Sequence, residues 1–479
     1  MDISNNNNNR IRLGILFCVG VVFLSSFIFL FRLGKEVFVD YDEAIYAQIM
    51  DTMNTTGDYL TLRTAPDNGP FFEKPPLYFW EVSTVQKVFD SPEFAMRLPS
   101  ALAGIVTVIL VMLIMYELTG NLYVAGLAGL ILVLTGSFVE ASRQLRLDST
   151  VTMTIVFGVY SFLRAQKNPK WYIGIGISTL LGIMTKSVIG LLIFPYIILW
   201  SLFNNFRWIK NKFFWLGIVC MVILVLPWHI YEYNKFGSEF LNLYLLHTIF
   251  ERFSDSVISY NKTSNLDYVR YLQFAIPWIF VFVLGIKKVW GERKDEVNKN
   301  FFIFSLFAIF IYAIFNFSHT KLVYYIVPIL PFIALSCGYI LYEWLQYLYN
   351  KNKSLMWLAL IILTLAGLAN TIYVAFHFQK NLSVNKQIAT EEKQVGLILL
   401  EKPRAENIYA YQYLYWDTIK YYSRRRLISL MQEDQILDKP FFLLMSRAIR
   451  ESSSFPEELE KHFSTLFQGI AVVLLEFKP

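Results

Sequence analysis

The chain opens on a polar, asparagine-rich tract and then runs apolar from Ile11 to Phe31, about the 20 residues that a helix needs to cross a bilayer. Apolar runs recur at residues 98–118, 122–139, 149–165, 171–185, 188–203, 213–230, 270–286, 301–317, 322–345 and 355–378. The pattern predicts about eleven membrane spans, the shorter of which need tilt or cover from neighbours. Arg10 and Arg12 stand at the start of the first run, which puts the N-terminus in the cytoplasm. With an odd count, the turns bearing Arg164, Lys167 and Lys170, then Arg207, Lys210 and Lys212, then Lys287, Lys288, Arg293 and Lys294, then Lys351 and Lys353 share that side. The first run is too long for a signal peptide, and no small-x-small cleavage site precedes Arg32.

Two stretches break the apolar pattern. Residues 33–95 form an outer loop of roughly 60 residues, too long and too aromatic for a connector. Its apolar positions, Ile45, Ile49 and Met53 and then Leu77, Tyr78, Phe79 and Trp80, predict short helices lying in the interface plane. From Gln379 charged residues return, and NIYAY, FFLLM and AVVLLEF alternate with helix-favouring segments such as EELEKHF. Residues 379–479 therefore read as a small soluble α/β domain on the outer face, and residues 1–378 as the membrane domain.

Composition agrees: a chain of 479 residues that is 55% hydrophobic and 17% aromatic has too few polar residues to cover a soluble surface. Cys18, Cys220 and Cys337 all fall in apolar runs and give neither a disulfide framework nor a metal-ligand spacing. The net charge of +6 is carried mostly by short loops between spans, so it supports no nucleic-acid partner.

Chemistry concentrates on the predicted outer side. In the stretch from Asp40 to Pro76, Asp40 and Glu43 are spaced as a helix cap and the residue that reaches back to it. Asp42 then sits in the first helical turn, with Tyr46 one turn on along the same face. Glu73 and Lys74 follow in FEKPP, and Glu140, Arg143, Arg146, Asp148, Lys186, Arg252, His319 and Lys321 lie in other outer turns. Each has a plain alternative: DYDE as a well-capped helix start, 140–148 as a solvated turn, Lys186 as a snorkelling lysine, Tyr324 and Tyr325 as an aromatic belt. Together they describe an outward-facing cavity suited to a lipid phosphate, with cations to hold the phosphate and Asp42 to take a proton from an attacking hydroxyl. A divalent metal on Asp42, Glu43 or Glu73 is compatible with the sequence, but no ligand spacing demands it. A lipid or polysaccharide transporter or flippase is the alternative class; it calls for ionisable groups near the midplane and on both sides, whereas here they gather on one face.

The motifs YDEAIYAQIM, GDYLTLR, FFEKPPLYFW, FAMRLPSALAG, RQLRLDSTVT, GIMTKSVIGLLIFP, PWHIYEYNKFGSEFLNLYLLHTIFERF and HTKLVYYIVPILP occur in that order. Over most of residues 38–335 the chain thereby resembles the lipid A aminoarabinose transferases and the related protein O-mannosyltransferases. The resemblance implies a GT-C fold, an α-helical polytopic membrane protein of about 11–13 transmembrane helices, with the small C-terminal α/β domain appended. It implies an inverting glycosyltransferase of the bacterial cytoplasmic membrane, which takes sugar from a polyprenyl-phosphate donor and gives it to a glycolipid or protein acceptor outside. Carried over by position, it implies that Asp42 is catalytic, with Glu43 beside it and Asp148 a second acidic site residue. Lys74 is implied at the donor phosphate, and Tyr46, Glu73, Lys186, Arg252, Lys321 and Tyr325 at phosphate and substrate contacts. Two departures, Phe71 where aminoarabinose transferases tend to have Tyr and Val323 where they have Pro, bear on the particular sugar rather than on the reaction.

Overall fold

The structure, a computed structural model, describes residues 2–39, 41–65, 68–251, 268–269, 272, 275–318, 322–404, 406–411, 416–430, 440–452 and 461–477. Its contacts divide the chain into two compact units. The first holds Met1–Leu33, Phe72–Val85 and Arg97–Phe376, and the second Gly34–Phe71, Gln86–Met96 and His377–Pro479. Most of the outer loop thus groups with the C-terminal residues, where the sequence assigns it to the membrane domain.

Among the described residues of the first unit, the regular elements are all helices. Among the described residues, seven helical stretches are long and apolar enough to cross a membrane, or eight if Leu122–Val133 and Gly136–Ser142, bent by 71°, make one broken span. Other apolar runs form shorter helices, such as Trp278–Gly291 with 14 residues, which rely on neighbours for cover. Phe23, Leu202, Ile223, Leu284 and Phe317 are exposed on these helices, as a lipid-facing surface requires. Inside, Phe162, Tyr196, Trp200, Phe304, Phe307 and Phe332 pack edge to face or stacked, Phe162 and Trp200 with ring centroids 5.0 Å apart.

The apolar stretch Pro169–Phe203 is not a straight rod. The helix Ile173–Lys186 ends at Ser187, whose φ of 54° turns the chain back into Ser187–Leu192 and Ile193–Phe203. The two arms touch backbone to backbone: a Cβ added at Gly190 would lie 2.2 Å from the carbonyl carbon of Gly182. The turn expected at residues 185–187 is therefore present, and close glycine contact is what lets its arms pair. Gly190→Ala should separate the arms and lower the thermal midpoint by the equivalent of about 1–3 kcal/mol or more, the usual penalty for overpacking, while Gly20→Ala, which meets nothing within 4 Å, should be neutral. Equal midpoints for the two variants in a detergent thermal-unfolding assay would remove the hairpin's dependence on that contact.

In the second unit the helix Asp42–Thr56 buries Ala44, Ala47, Ile49, Met50 and Met53. It packs on the helix Asp417–Ser423: Gln48 Nε2 donates to the Asp417 carbonyl at 3.0 Å, and Phe38 just before it meets Tyr421 edge to face at 5.3 Å. The apolar face expected to lie in the interface plane is therefore covered by protein. The predicted cap also changes. Asp40 lies outside the described residues; Tyr41 occupies the N-cap position at φ 78° with no side-chain cap bond, and Glu43 reaches back to the N–H of Val39 at 3.2 Å.

The C-terminal residues form a five-stranded sheet of β1 (Asn407–Tyr411), β2 (Ile428–Leu430), β3 (Phe441–Ser446), β4 (Phe463–Gln468) and β5 (Val472–Phe477), in the order β2-β1-β3-β5-β4. β1 pairs in parallel with β2 and β3, whereas β5 pairs antiparallel with β3 and β4. NIYAY, FFLLM and AVVLLEF supply β1, β3 and β5, as expected. EELEKHF lies mostly outside the described residues, and its final Phe463 begins β4. Glu391, in the long helix Lys353–Glu401, accepts the N–H groups of Ile470, Ala471 and Val472 at 2.8–3.3 Å and fixes the β4–β5 turn.

Candidate active site

In the first unit, the charged turn between the helices Gly136–Ser142 and Leu147–Ala165 meets the hairpin that carries Lys186. Asp148 stands in the first turn of Leu147–Ala165, where a carboxylate is favoured by the helix dipole, and is 4% exposed. Lys186 is the last residue of its own helix, the end that favours a cation, and its ammonium lies 2.5 Å from Asp148 Oδ1. Arg146 approaches the other oxygen, Oδ2, at 3.5 Å. One buried carboxylate is thus flanked by two cations.

Aromatic rings extend the cluster. The Arg146 guanidinium stacks 3.5 Å over the centre of the Tyr324 ring, and the Lys186 ammonium lies 5.3 Å from that of Tyr325. The Tyr324 hydroxyl donates to Glu140 Oε1 at 3.0 Å, and Gln144 Nε2 donates to the same oxygen at 3.1 Å. A continuous polar chain therefore runs from Gln144 through Glu140, Tyr324, Arg146 and Asp148 to Lys186.

The Glu73–Lys74 segment is tied to the same hairpin by aromatic packing. Phe72 is buried in a cluster with Met184, Trp228, Phe240 and Tyr244, two residues before Lys186 in the case of Met184. Its ring centroid lies 5.1 Å from that of Phe236 and 5.3 Å from that of Phe240. Lys74 is 9% exposed and its ammonium lies 3.6 Å from Glu73 Oε2. His229 donates from Nδ1 to the Val225 carbonyl at 2.9 Å, so Nε2 is the acceptor of the Tyr244 hydroxyl at 3.1 Å. Tyr244 also bonds the side chain of Ser187, the residue that reverses the chain after Lys186. In the short helix Leu77–Gln86 that follows Lys74, burial pushes the Glu81 carboxyl up to about 7.

In the second unit Asp42 begins its helix and is half-buried, next to the buried Glu43 and, one turn on, the buried Tyr46. Of the residues singled out in the sequence, the structure thus brings Asp148, Lys186 and Tyr325 together in one unit, along with the Glu73–Lys74 pair. It groups Asp42, Glu43 and Tyr46 in the other. Arg252, His319 and Lys321 lie outside the described residues. Among the described residues no group of three or more His, Cys, Asp or Glu side chains is arranged to hold a metal ion. Arg146, Glu140 and Tyr324 are site members that the sequence flags only as a charged turn and an aromatic belt; the signal for Arg146 is its place two residues before Asp148.

Residues 73–231 match the family model of dolichyl-phosphate-mannose-protein mannosyltransferases. The undecaprenyl phosphate-alpha-4-amino-4-deoxy-L-arabinose arabinosyl transferase 2 of Pseudomonas fluorescens Pf0-1 is 24% identical over 355 residues, 72% of this chain; the chain covers 63% of that enzyme's length. ArnT from Cupriavidus metallidurans, in a crystal structure with bound undecaprenyl phosphate, has the same fold with a TM-score of 0.72 at 18% identity, over 96% of this chain and 97% of that one. The archaeal oligosaccharyltransferase AglB from Archaeoglobus fulgidus, in complex with an inhibitory peptide and a dolichol-phosphate, follows at a TM-score of 0.59 and 11% identity, over 95% and 72%. The chain thus shares the fold of ArnT and is similar in sequence to aminoarabinose transferases and, over residues 73–231, to the protein mannosyltransferase family model.

Proposed function

We propose that the chain is an inverting glycosyltransferase that moves one sugar from a polyprenyl-phosphate donor to an acceptor outside the cytoplasmic membrane. The observation that carries this reading is the pairing of Lys186 and Arg146 on one buried carboxylate, in a bundle whose fold matches a transferase with undecaprenyl phosphate bound. A lysine with three donors, one of them spent on Asp148, retains the means to meet a phosphate oxygen. In the reaction, the acceptor oxygen forms a bond to the anomeric carbon from the face opposite the phosphate. The bond from that carbon to the phosphate oxygen breaks, and polyprenyl phosphate leaves with its charge held by Lys74, Lys186, Arg252 and Lys321. If the acceptor is a hydroxyl, Asp42 takes its proton; a phosphate acceptor needs no base, and Asp42 then orients the attacking group. The resemblance of the sequence motifs implies a lipid A-like glycolipid, a protein or another extracytoplasmic acceptor. Residues 379–479 would face the acceptor on the extracytoplasmic side.

The test is a reconstituted assay with purified protein, a panel of polyprenyl-phosphate sugars and mixed glycolipid and protein acceptors, read by mass spectrometry. One sugar increment on an acceptor supports the reading and names donor and acceptor together. Donor lipid moving between leaflets with no increment would replace the transferase by a flippase.

A further inference from the structure

Three of the ordered motifs, FFEKPPLYFW, FAMRLPSALAG and RQLRLDSTVT, converge in the first unit on one residue, Ser100. Ser100 lies in the helix Pro92–Thr119 and has no exposed surface. Its hydroxyl donates to the Arg146 carbonyl at 2.8 Å, and its own carbonyl accepts the Ser149 hydroxyl at 2.9 Å. Ser100 thus holds the chain on both sides of Asp148, two residues before it and one after. Arg146 is the N-cap residue of Leu147–Ala165 and makes no side-chain cap bond, so the bond to its carbonyl also fixes the point from which its guanidinium reaches out.

The third partner comes from the Lys74 segment. The Tyr78 hydroxyl lies 2.7 Å from Ser100 Oγ. Ser100 has a single hydroxyl proton, already directed to the Arg146 carbonyl, so Tyr78 is the donor and Ser100 the acceptor. Tyr78 is fully buried as well, in the first turn of Leu77–Gln86. Between it and Lys74 stand Pro75, Pro76 and Leu77, and the two prolines are buried with φ fixed by their rings. This short stiff segment passes the position of Tyr78 on to Lys74. Phenol, serine and carbonyl therefore join the Lys74 arm to the turn that carries Arg146 and Asp148.

We propose that Tyr78 and Ser100 are positioning residues that set Lys74 against the cluster of Arg146, Asp148 and Lys186, so that cations from both segments meet one lipid phosphate. The inference rests on the reading of the chain as a polyprenyl-phosphate transferase. With no exposed surface, neither hydroxyl reaches the donor; each acts through the cations. A misplacement of about 1 Å in such groups is enough to lower turnover about 100-fold.

The experiment measures the Kd of the full chain in detergent for undecaprenyl phosphate, which carries no sugar, beside the thermal midpoint. Tyr78→Phe keeps the ring and its edge-to-face contact with Phe79 and removes only the hydroxyl; it should weaken binding about tenfold. Ser100→Ala breaks the link from the other side and should match it. In a Lys74→Ala background Tyr78→Phe should weaken binding no further, because the residue it acts through is gone. Ser336→Ala is the control: it removes an equally buried hydroxyl that bonds Ser305 at 3.1 Å between the helices Glu296–Phe317 and Leu330–Lys351, and should lower the midpoint without changing the Kd. Unchanged affinity in Tyr78→Phe and Ser100→Ala, a loss that persists in the Lys74→Ala background, or an equal loss in Ser336→Ala would overturn the positioning role and leave the transferase reading standing. A wild-type chain with no affinity for undecaprenyl phosphate would overturn both.

Discussion

Asp42→Asn should abolish sugar transfer and leave the chain folded in the membrane. The amide is the same shape and still fits the first turn of Asp42–Thr56, whose stability comes from Ala44, Ala47, Ile49, Met50 and Met53 on its buried face. What it loses is the ability to take a proton, and removal of a positioned base lowers turnover by about 10²–10⁴-fold. The readout is the single-sugar mass increment, measured beside the thermal midpoint and the yield in the membrane fraction. Wild-type turnover in this variant would remove Asp42 from the chemistry, and a collapsed midpoint would make its role structural. Asp42→Glu distinguishes a base from a positioning carboxylate: it keeps the charge but moves the oxygens, so a hydroxyl-directed reaction should fall with it too.

Lys186→Met should cost both stability and transfer, and the two losses should separate. The substitution leaves Asp148, 4% exposed, facing only Arg146 at 3.5 Å. Breaking a buried pair typically costs about 3–5 kcal/mol, and the surviving arginine should hold the loss toward the lower end. Adding Asp148→Asn removes the stranded charge, so the double variant should regain much of the midpoint. Transfer should not return, because the cation proposed for the donor phosphate is still missing. A double variant that regained both would mean that Lys186 serves the fold alone, and a single variant that lost neither would dissolve the pair as an element of the site.

Much of the membrane unit was legible because hydropathy along a chain is a local property. The run Ile11–Phe31 and the turn at 185–187 could be read directly, since a span must be apolar throughout and a reversal needs little sequence. Face against face was harder. Ile49 and Met53 have the same periodicity whether lipid or protein covers them, and only the contact with Asp417–Ser423 decides it. Local backbone was hidden too: nothing in DYDE announces that Tyr41 adopts φ 78° and leaves the cap position without a side-chain bond. Ionisable residues could be named singly, as Glu140, Arg146, Asp148 and Lys186 were. Their partners could not, because Lys186 meets Asp148 from 38 residues away and Tyr324 meets Glu140 from 184. The order of the motifs supplied what spacing lacked, the expectation that Asp148, Lys186 and Tyr325 share a site.

Arg143, on the turn that leads to Asp148, closes the first helix. Its guanidinium donates to the carbonyls of Ile28, Phe29 and Phe31 at 2.5, 3.2 and 2.9 Å, capturing the end of Asp2–Leu30 from 112 to 115 residues away. A ribosome delivers Ile28 long before it delivers Arg143. During synthesis the first span therefore enters the bilayer with its last carbonyls open, and it is latched only after two further stretches of apolar chain have emerged. A nascent chain released before residue 143 carries an unlatched first helix, so the bundle is keyed from its middle rather than built outward from its start.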